Sequence, residues 1–264
     1  MNLVGLLSDN EKRNYIARHR VDGRLFEDIT TLLYQELCQP GDVVFDGGAN
    51  HGHHTYQLAD VVGVDGHVFA VEALPSLCEE VRMGAIRSQR PQITMVCAAI
   101  SDRHGLRQFY FRHDVDGWSS LYSSHEPPGT SEENTSALIV PLITLDDFVP
   151  RFDSCRFMKL DLELNEFPAL VGGELFLRRF RPWVVFENAR EQAAQAAGYT
   201  ASDFFAFFSR HQYVVLDMFL TELTLDRWGD NETVPVYSLA VPREQCGQLH
   251  KLNVRNMFES CSVF

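Results

Sequence analysis

Short runs of β-branched and aromatic residues, each followed by a helical stretch, set the narrowest limit on what this chain can become. Val43-Val44-Phe45 runs into Asp46 and a glycine turn from Gly47 to Gly52, and a helical segment follows to about Asp60. His67 to Val71 is a second such run, closed by Glu72, with a helix over Ser76 to Ser88; Ile93 to Ile100 is a third. Apolar runs without polar alternation mark strands buried on both faces, and their alternation with helices implies a parallel, doubly wound sheet. The rhythm resumes with strand Arg156 to Leu160, a helix from about Asn165 to Arg179, strand Trp183 to Phe186 and a helix from Ser202 to about Arg210. Tyr213 to Phe219 and Val234 to Ala240 read as an antiparallel pair at the sheet's end.

Two stretches break the pattern. Residues 1–40 read as an amphipathic helical extension, with Leu32, Leu33 and Leu37 at helical spacing and a stop at Pro40-Gly41. Gln108 to Arg112 alternates like a hairpin strand, and Val115 to Ser136 is a polar loop holding Trp118, Tyr122 and His125. Long loops in compact domains are commonly functional lids. With 264 residues and no internal repeat, the expectation is an α/β chain with one domain over 41–264. Its mostly parallel sheet should have seven strands, the last antiparallel, with an inserted hairpin and loop.

Composition excludes several classes. Apolar residues make up 45% of the chain, enough for a core. The net charge of -13 disfavours a nucleic-acid partner; the basic runs Arg178-Arg179-Phe180-Arg181 and Arg82 to Arg90 read as solvated helix faces. Cys38, Cys78, Cys97, Cys155, Cys246 and Cys261 are scattered, without the spacings of a zinc site or a disulfide framework. A reduced, cytoplasmic setting is the expectation. No signal peptide or membrane-length apolar stretch stands in the sequence. A homo-oligomer stays open.

The turn after the first strand carries the chemistry. A dinucleotide site wants G-x-G-x-x-G so that pyrophosphate can sit on a helix N-terminus. Here Ala49 stands at the third position of that pattern and Asp46 precedes the loop. That acid repels pyrophosphate, which disfavours a nicotinamide dehydrogenase, and suits a cationic ligand. S-adenosyl-L-methionine, with a sulfonium and an amino group, is such a ligand. Gly48, Asn50 and Gly52 would let backbone approach it. Glu72, 26 residues after Asp46, and its neighbour Ala73 would lie at the ribose. After the third strand, Ser101 and Asp102 would face the adenine.

In the order of these motifs the chain resembles the FkbM-type methyltransferases. The resemblance rests on Asp46-Gly47-Gly48-Ala49-Asn50-His51-Gly52, Val71-Glu72-Ala73, Ala99-Ile100-Ser101-Asp102, Trp118-Ser119-Ser120-Leu121 and Ile143-Thr144-Leu145-Asp146-Asp147-Phe148. Above all it rests on Met158-Lys159-Leu160-Asp161-Leu162-Glu163, which continues through Glu166-Phe167 to Gly172-Gly173. It spans about Gly41 to Arg190 and implies a Rossmann-like class I fold, S-adenosylmethionine as cofactor, and methylation of oxygen on sugars and natural products. The chain departs from the family in Leu164-Asn165, where a small residue such as glycine is usual, and in His51, His53 and His54.

Methyl transfer needs an aligned acceptor and a base, at the carboxyl ends of the strands. Asp161, Glu163 and His51 are the candidate catalytic residues; Trp118, Ser119, Ser120 and Glu166 are the candidate substrate contacts. Asp161, Glu187 and Asn188 form a candidate oxygen-ligand set for a divalent metal. The Asn/Asp-Pro-Pro-aromatic tetrapeptide of nucleobase N-methylation is absent after the fourth strand, where Asp161-Leu162-Glu163-Leu164 stands. The expected acceptor is a small-molecule hydroxyl. A peptide or other macromolecular acceptor, and a non-catalytic nucleoside-binding protein of the same fold, are the alternatives.

Overall fold

In the computed structural model, residues 7–113, 116–125 and 134–261 are described. The chain begins with two helices, α1 (Asp9–Asp22) and α2 (Leu25–Leu37), then alternates β1 (Val43–Gly47), α3 (His53–Val62), β2 (His67–Glu72), α4 (Pro75–Arg87) and β3 (Ile93–Cys97). A short β4 (Ala99–Ile100) precedes the hairpin strands β5 (Gly105–Arg112) and β6 (Thr135–Ile143). Alternation returns with β7 (Phe157–Leu160), α5 (Glu166–Val171), α6 (Glu174–Phe180), β8 (Trp183–Glu187), α7 (Glu191–Ala197), α8 (Ala201–Arg210), β9 (Tyr213–Asp217), β10 (Tyr237–Pro242) and α9 (Val254–Ser260).

The main sheet has seven strands in the order β3-β2-β1-β7-β8-β10-β9. All neighbours pair in parallel except β10, which runs antiparallel to both β8 and β9. The last strand therefore slots between β8 and β9. Strand residues alternate between two cores, as a period of two requires. Val44, Phe157, Val185 and Leu239 face the core built with α2, α3 and α9, whereas Phe45, Met158, Val184 and Ala240 face the one built with α5, α6 and α8. Both faces are covered, which explains the unbroken apolar runs. Phe26 of α2 packs edge-on against Phe219 and Phe258, so the N-terminal helices share the first core with the sheet.

Three segments differ from the sequence expectation. The third strand stops at Cys97. Ala98 N donates to Glu72 O at 2.9 Å, and Ala99–Ile100 then peel away to pair with Leu142–Ile143 of β6 in a second, three-stranded sheet. The helix expected from Asn165 to Arg179 breaks at Gly172-Gly173. A Cβ on Gly172 would lie 2.2 Å from Ser101 O, and one on Gly173 would lie 2.8 Å from the Leu145 side chain, so the chain must thread closely there. Residues 1–40 form two helices split at Gly23, whose φ of 67° caps α1. Of the polar loop 115–136, residues 116–125 and 134–136 are described, and the rest lies outside the described residues.

Strand order reverses between β1 and β7, and the crevice beyond the carboxyl ends of such strands is where ligands bind in open α/β sheets. A cleft of about 830 Å³ opens there.

Candidate active site

β1 delivers Asp46 to one wall of the cleft. The side chain is 1% exposed, and its Oδ2 accepts from Thr55 Oγ1 of α3 at 2.5 Å. Its Oδ1 is buried without a hydrogen-bond partner among the described residues. A buried acceptor left open in this way calls for a donor that the chain does not supply, a ligand N–H or O–H or a bound water. Past Asp46 the backbone turns through positive φ at Gly48 (79°), Asn50 (47°) and Gly52 (83°). Gly48 and Ala49 N–H groups both donate to Val71 O of β2, at 2.9 and 3.0 Å. A Cβ at residue 48 would stand 1.8 Å from Asp161 O, so only glycine lets this turn pass the end of β7.

Glu72 ends β2 beside that turn. Its Oε2 accepts from Asn50 N at 3.0 Å and its Oε1 from Leu74 N at 2.9 Å. Burial pushes the carboxyl up, against the pull of the Leu74, Asn50 and Ala73 backbone N–H groups. Each oxygen keeps a lone pair for a ligand hydroxyl. An apolar recess of about 40 Å³ adjoins the cleft, lined in part by Ala73, Ala99, Ile100, Phe109 and Leu121. Ser101 and Asp102 line neither space. Because the strand peels away at Ala98, Ser101 N is bound to Ile143 O at 2.9 Å, and Asp102 accepts from Ser101 Oγ at 3.2 Å and Arg103 Nε at 2.9 Å. Ala99 and Ile100 line the recess instead.

The opposite half of the cleft is assembled from distant segments. Lys159, in the middle of β7, is 4% exposed and donates to Asp161 Oδ2 at 3.0 Å. Burial works against its charge, but Asp161, Glu27 and Asp46 outweigh that and hold the ammonium protonated. Tyr237 of β10 donates to Asp161 Oδ2 at 3.1 Å and also bonds Glu27 of α2. Glu27 pairs in turn with His54 Nε2, whose Nδ1 is 3.3 Å from Tyr34 OH. Burial opposes the Glu27 charge, but Lys159, His54 and Tyr237 prevail and hold the carboxyl well below its ordinary range. The result is a continuous polar network from α2 to β7.

Glu163 stands beyond Asp161 on a turn where Glu163 and Leu164 have φ of 53° and 79°. This left-handed backbone is comfortable for glycine and strained for Leu164, which accounts for the small residue usual there in the resembling family. His125 Nε2 lies 2.6 Å from Glu163 Oε2. Burial, then Glu187, Asp161 and Glu166, push the Glu163 carboxyl well up. Glu187 is raised as well, by burial and then by Asp161, Glu166 and Glu27. Asp161, Glu163 and Glu187 each bring one oxygen within 4.8 Å of the others.

The remaining sequence candidates fall on different sides of this picture. Trp118 lines the cleft and stacks on His125 at 4.9 Å. Ser119 and Ser120 are buried and pin the segment: Ser119 Oγ accepts from Arg112 N at 3.1 Å, and Ser120 Oγ donates to Glu163 O at 2.5 Å. Glu166 closes the turn, accepting from Leu162 N at 2.5 Å. His51 sits outside the cleft with Nδ1 3.1 Å from Glu80 Oε1; side chains fan out at a helix start, and His53 and His54 line the cleft instead. Asn188 turns away from the acids, donating to Ser238 Oγ at 3.1 Å, and Glu163 supplies the third oxygen of the cluster.

Sequence reasoning missed Glu27, Tyr237 and Gln192, which all line the cleft, and noted His54 only as a departure from the family pattern. An acid in a helix's first turn reads as a dipole partner, so Glu27 carried no signal. Lys159 did carry one, as a lone cation inside an otherwise apolar buried strand.

Comparison with known proteins bears on this arrangement. No match was found among curated proteins. Among solved structures, a methyltransferase FkbM from Methylobacillus flagellatus KT is 14% identical, with a TM-score of 0.44, over 76% of this chain and 43% of that one. The chain thus spans less than half of that protein. An O-methyltransferase from Bacillus cereus is 12% identical, with a TM-score of 0.46, over 88% of this chain and 90% of that one. The family model of the methyltransferase FkbM domain matches residues 46–215, from the acid that ends β1 into β9. That match covers more than half of the chain, which therefore belongs to the FkbM methyltransferase family.

Proposed function

We propose that this protein transfers the methyl group of S-adenosylmethionine to a hydroxyl oxygen of a small molecule, a sugar or secondary metabolite. The observation that carries the reading is the buried, unpartnered Asp46 Oδ1 at the wall of the cleft, next to Glu72. Asp46 would accept from the cofactor's amino group and offset its positive charge, and Glu72 would take ribose hydroxyls with its free lone pairs. The recess beside Ala99 and Ile100 suits an adenine by its apolar lining. At about 40 Å³ it is smaller than a purine, so Phe109 and Leu121 would have to give way.

When bound, the cofactor supplies the electrophilic methyl group. The chain's own residues do the rest. Asp161, held by Lys159 and Tyr237, orients the acceptor. Glu163, which lines the cleft beside Asp161, takes the hydroxyl proton. Trp118 covers the reacting groups and keeps water out. Residues 41–264 form the methyltransferase domain in this reading, and the extension 1–40 lends Glu27 to the acceptor wall. A divalent cation at Asp161, Glu163 and Glu187 would be a second way to lower the hydroxyl's pKa.

The test is turnover. Incubation with S-adenosylmethionine and a panel of sugars and polyols, read by mass spectrometry, should give a methylated product and S-adenosylhomocysteine, unaltered by chelator if no metal is used. Tight cofactor binding without turnover on any hydroxyl compound, with methylation of peptides instead, would replace the small-molecule reading.

A further inference from the structure

Two thiols meet where the second strand ends. Cys78, in the first turn of α4, donates its S–H to the Glu72 backbone carbonyl, with Sγ 3.1 Å from that oxygen. Ala98 N donates to the same oxygen at 2.9 Å, and Cys97 is the residue paired with Glu72 across β2 and β3. The Cys78 sulfur and the backbone that carries Cys97 thus converge on one atom, and the two thiols are hydrogen-bonding neighbours. Both are free; Cys78 is 7% exposed, whereas Cys97 alone among the six cysteines is exposed. Packing accounts for a buried thiol as a small hydrophobe, but not for an exposed one set against it at a strand end.

The pair lies one turn of helix from the cleft wall. Cys78 N donates to Leu74 O at 3.0 Å, and Leu74 N donates to Glu72 Oε1 at 2.9 Å. The start of α4 therefore holds Glu72 twice, by its carbonyl and by its carboxylate. We propose that Cys78 and Cys97 form an oxidative modification site, at which a low-molecular-weight disulfide links the two thiols and weakens cofactor binding through Glu72. The effect on the cofactor rests on the function proposed above; the linkage does not.

The exposed thiol meets the oxidant first. Cys97 gives up its proton and its sulfur attacks one sulfur of the small disulfide, whose S–S bond breaks and releases one small thiolate. Cys78 then gives up its proton and attacks Cys97 Sγ, forming the protein S–S bond and expelling the second small thiolate. The two thiolates take up the two protons; the protein loses two electrons and the small disulfide gains them. Burial, then the neighbouring Cys97, pushes the Cys78 thiol well up, which suits it to the second, intramolecular step. Once linked, Cys78 has no S–H for the Glu72 carbonyl. The first turn of α4 is drawn toward β3, and Leu74 N moves off the carboxylate.

The experiment exposes the full chain to oxidised or reduced glutathione, blocks the remaining thiols with iodoacetamide and reads the peptides by mass spectrometry. A Cys78–Cys97 cross-link is expected with oxidised glutathione only. Calorimetry on the same samples should show S-adenosylhomocysteine affinity about tenfold lower in the oxidised chain, as one lost N–H to a carboxylate implies, and recovered with dithiothreitol. Cys97→Ser should stay within about twofold in both states. Absence of the cross-link, glutathione retained on Cys97 in its place, a cross-link that leaves affinity unchanged, or an equal loss in Cys97→Ser overturns this inference alone. Failure of the reduced chain to bind S-adenosylhomocysteine overturns the proposed function and the cofactor effect with it, and the cross-link then decides the modification site by itself. Should Cys97→Ser not fold, Cys78→Ser replaces it: its hydroxyl still donates to the Glu72 carbonyl, and its affinity should likewise withstand oxidised glutathione.

Discussion

The two halves of the cleft are built in opposite ways. In the half proposed to take the cofactor, Asp46, Gly48, Asn50 and Glu72 come from one strand–turn–helix–strand unit, and backbone N–H groups hold the Glu72 carboxylate. In the half proposed to take the acceptor, Glu27, His125, Asp161, Glu163, Glu187 and Tyr237 come from α2, the hairpin segment, the turn after β7, β8 and β10, and side chains hold one another. A half made from local backbone geometry tolerates little change. A half made from converging side chains can be re-specified one residue at a time. In the proposed reading the cofactor half is thus the fixed part of the cleft and the acceptor half the adjustable one.

Several substitutions would break or sharpen that division. The largest effect is expected from Glu163→Gln, which should lower kcat by about 10²–10⁴-fold, the usual worth of a positioned base. Its S-adenosylhomocysteine affinity, measured by calorimetry, should stay within about twofold; an affinity that fell along with kcat would mean that the halves are not separate. Asp46→Asn should do the reverse, weakening S-adenosylmethionine binding about 100-fold through the lost charge-assisted bond. Its thermal midpoint should hold, because Thr55 keeps an acceptor. Glu72→Gln should cost about tenfold in affinity, since a neutral amide is a poorer partner for ribose hydroxyls. Equal affinity in both acid variants would dissolve the cofactor half as described.

The smallest effect concerns stability and belongs to the acceptor half. Burial and then Asp161 push Glu166 up to about 8. The folded chain therefore keeps a proton that the unfolded chain releases near an ordinary glutamate's pKa of about 4.3. Stability from this group is complete below that pH and declines as pH rises toward 8. Glu166→Gln should flatten the slope by an amount on the order of 1–3 kcal/mol, measured by denaturant unfolding across that range. An unchanged slope would place the retained proton elsewhere in the acid cluster.

The same contrast decides what could be read from the amino acids alone. Asp46, Gly48 and Glu72 were legible because strand, turn and acid follow one another in sequence, and one hydrogen-bonded register brings the two acids to a common edge. The break at Ala98 was not, since Met95-Val96-Cys97-Ala98-Ala99-Ile100 is unbroken in hydropathy and only the pairing of Ala99–Ile100 with β6 diverts it. The split at Gly172-Gly173 is set by the nearness of Ser101 and Leu145, residues far away in the chain. Glu27 and Tyr237 meet across 210 positions, and no periodicity encodes such a meeting. His51 lies nearest the turn in sequence, yet the side-chain directions at the helix start put His53 and His54 in the cleft instead.

The most direct measurement is a crystal structure of the complex with S-adenosylhomocysteine. The amino group should lie within hydrogen-bond reach of Asp46 Oδ1 and the ribose hydroxyls should lie on Glu72, with the sulfur facing Asp161 and Glu163. A ligand bound elsewhere, or one in this cleft with Asp46 Oδ1 still without a donor, would contradict the assignment of the site.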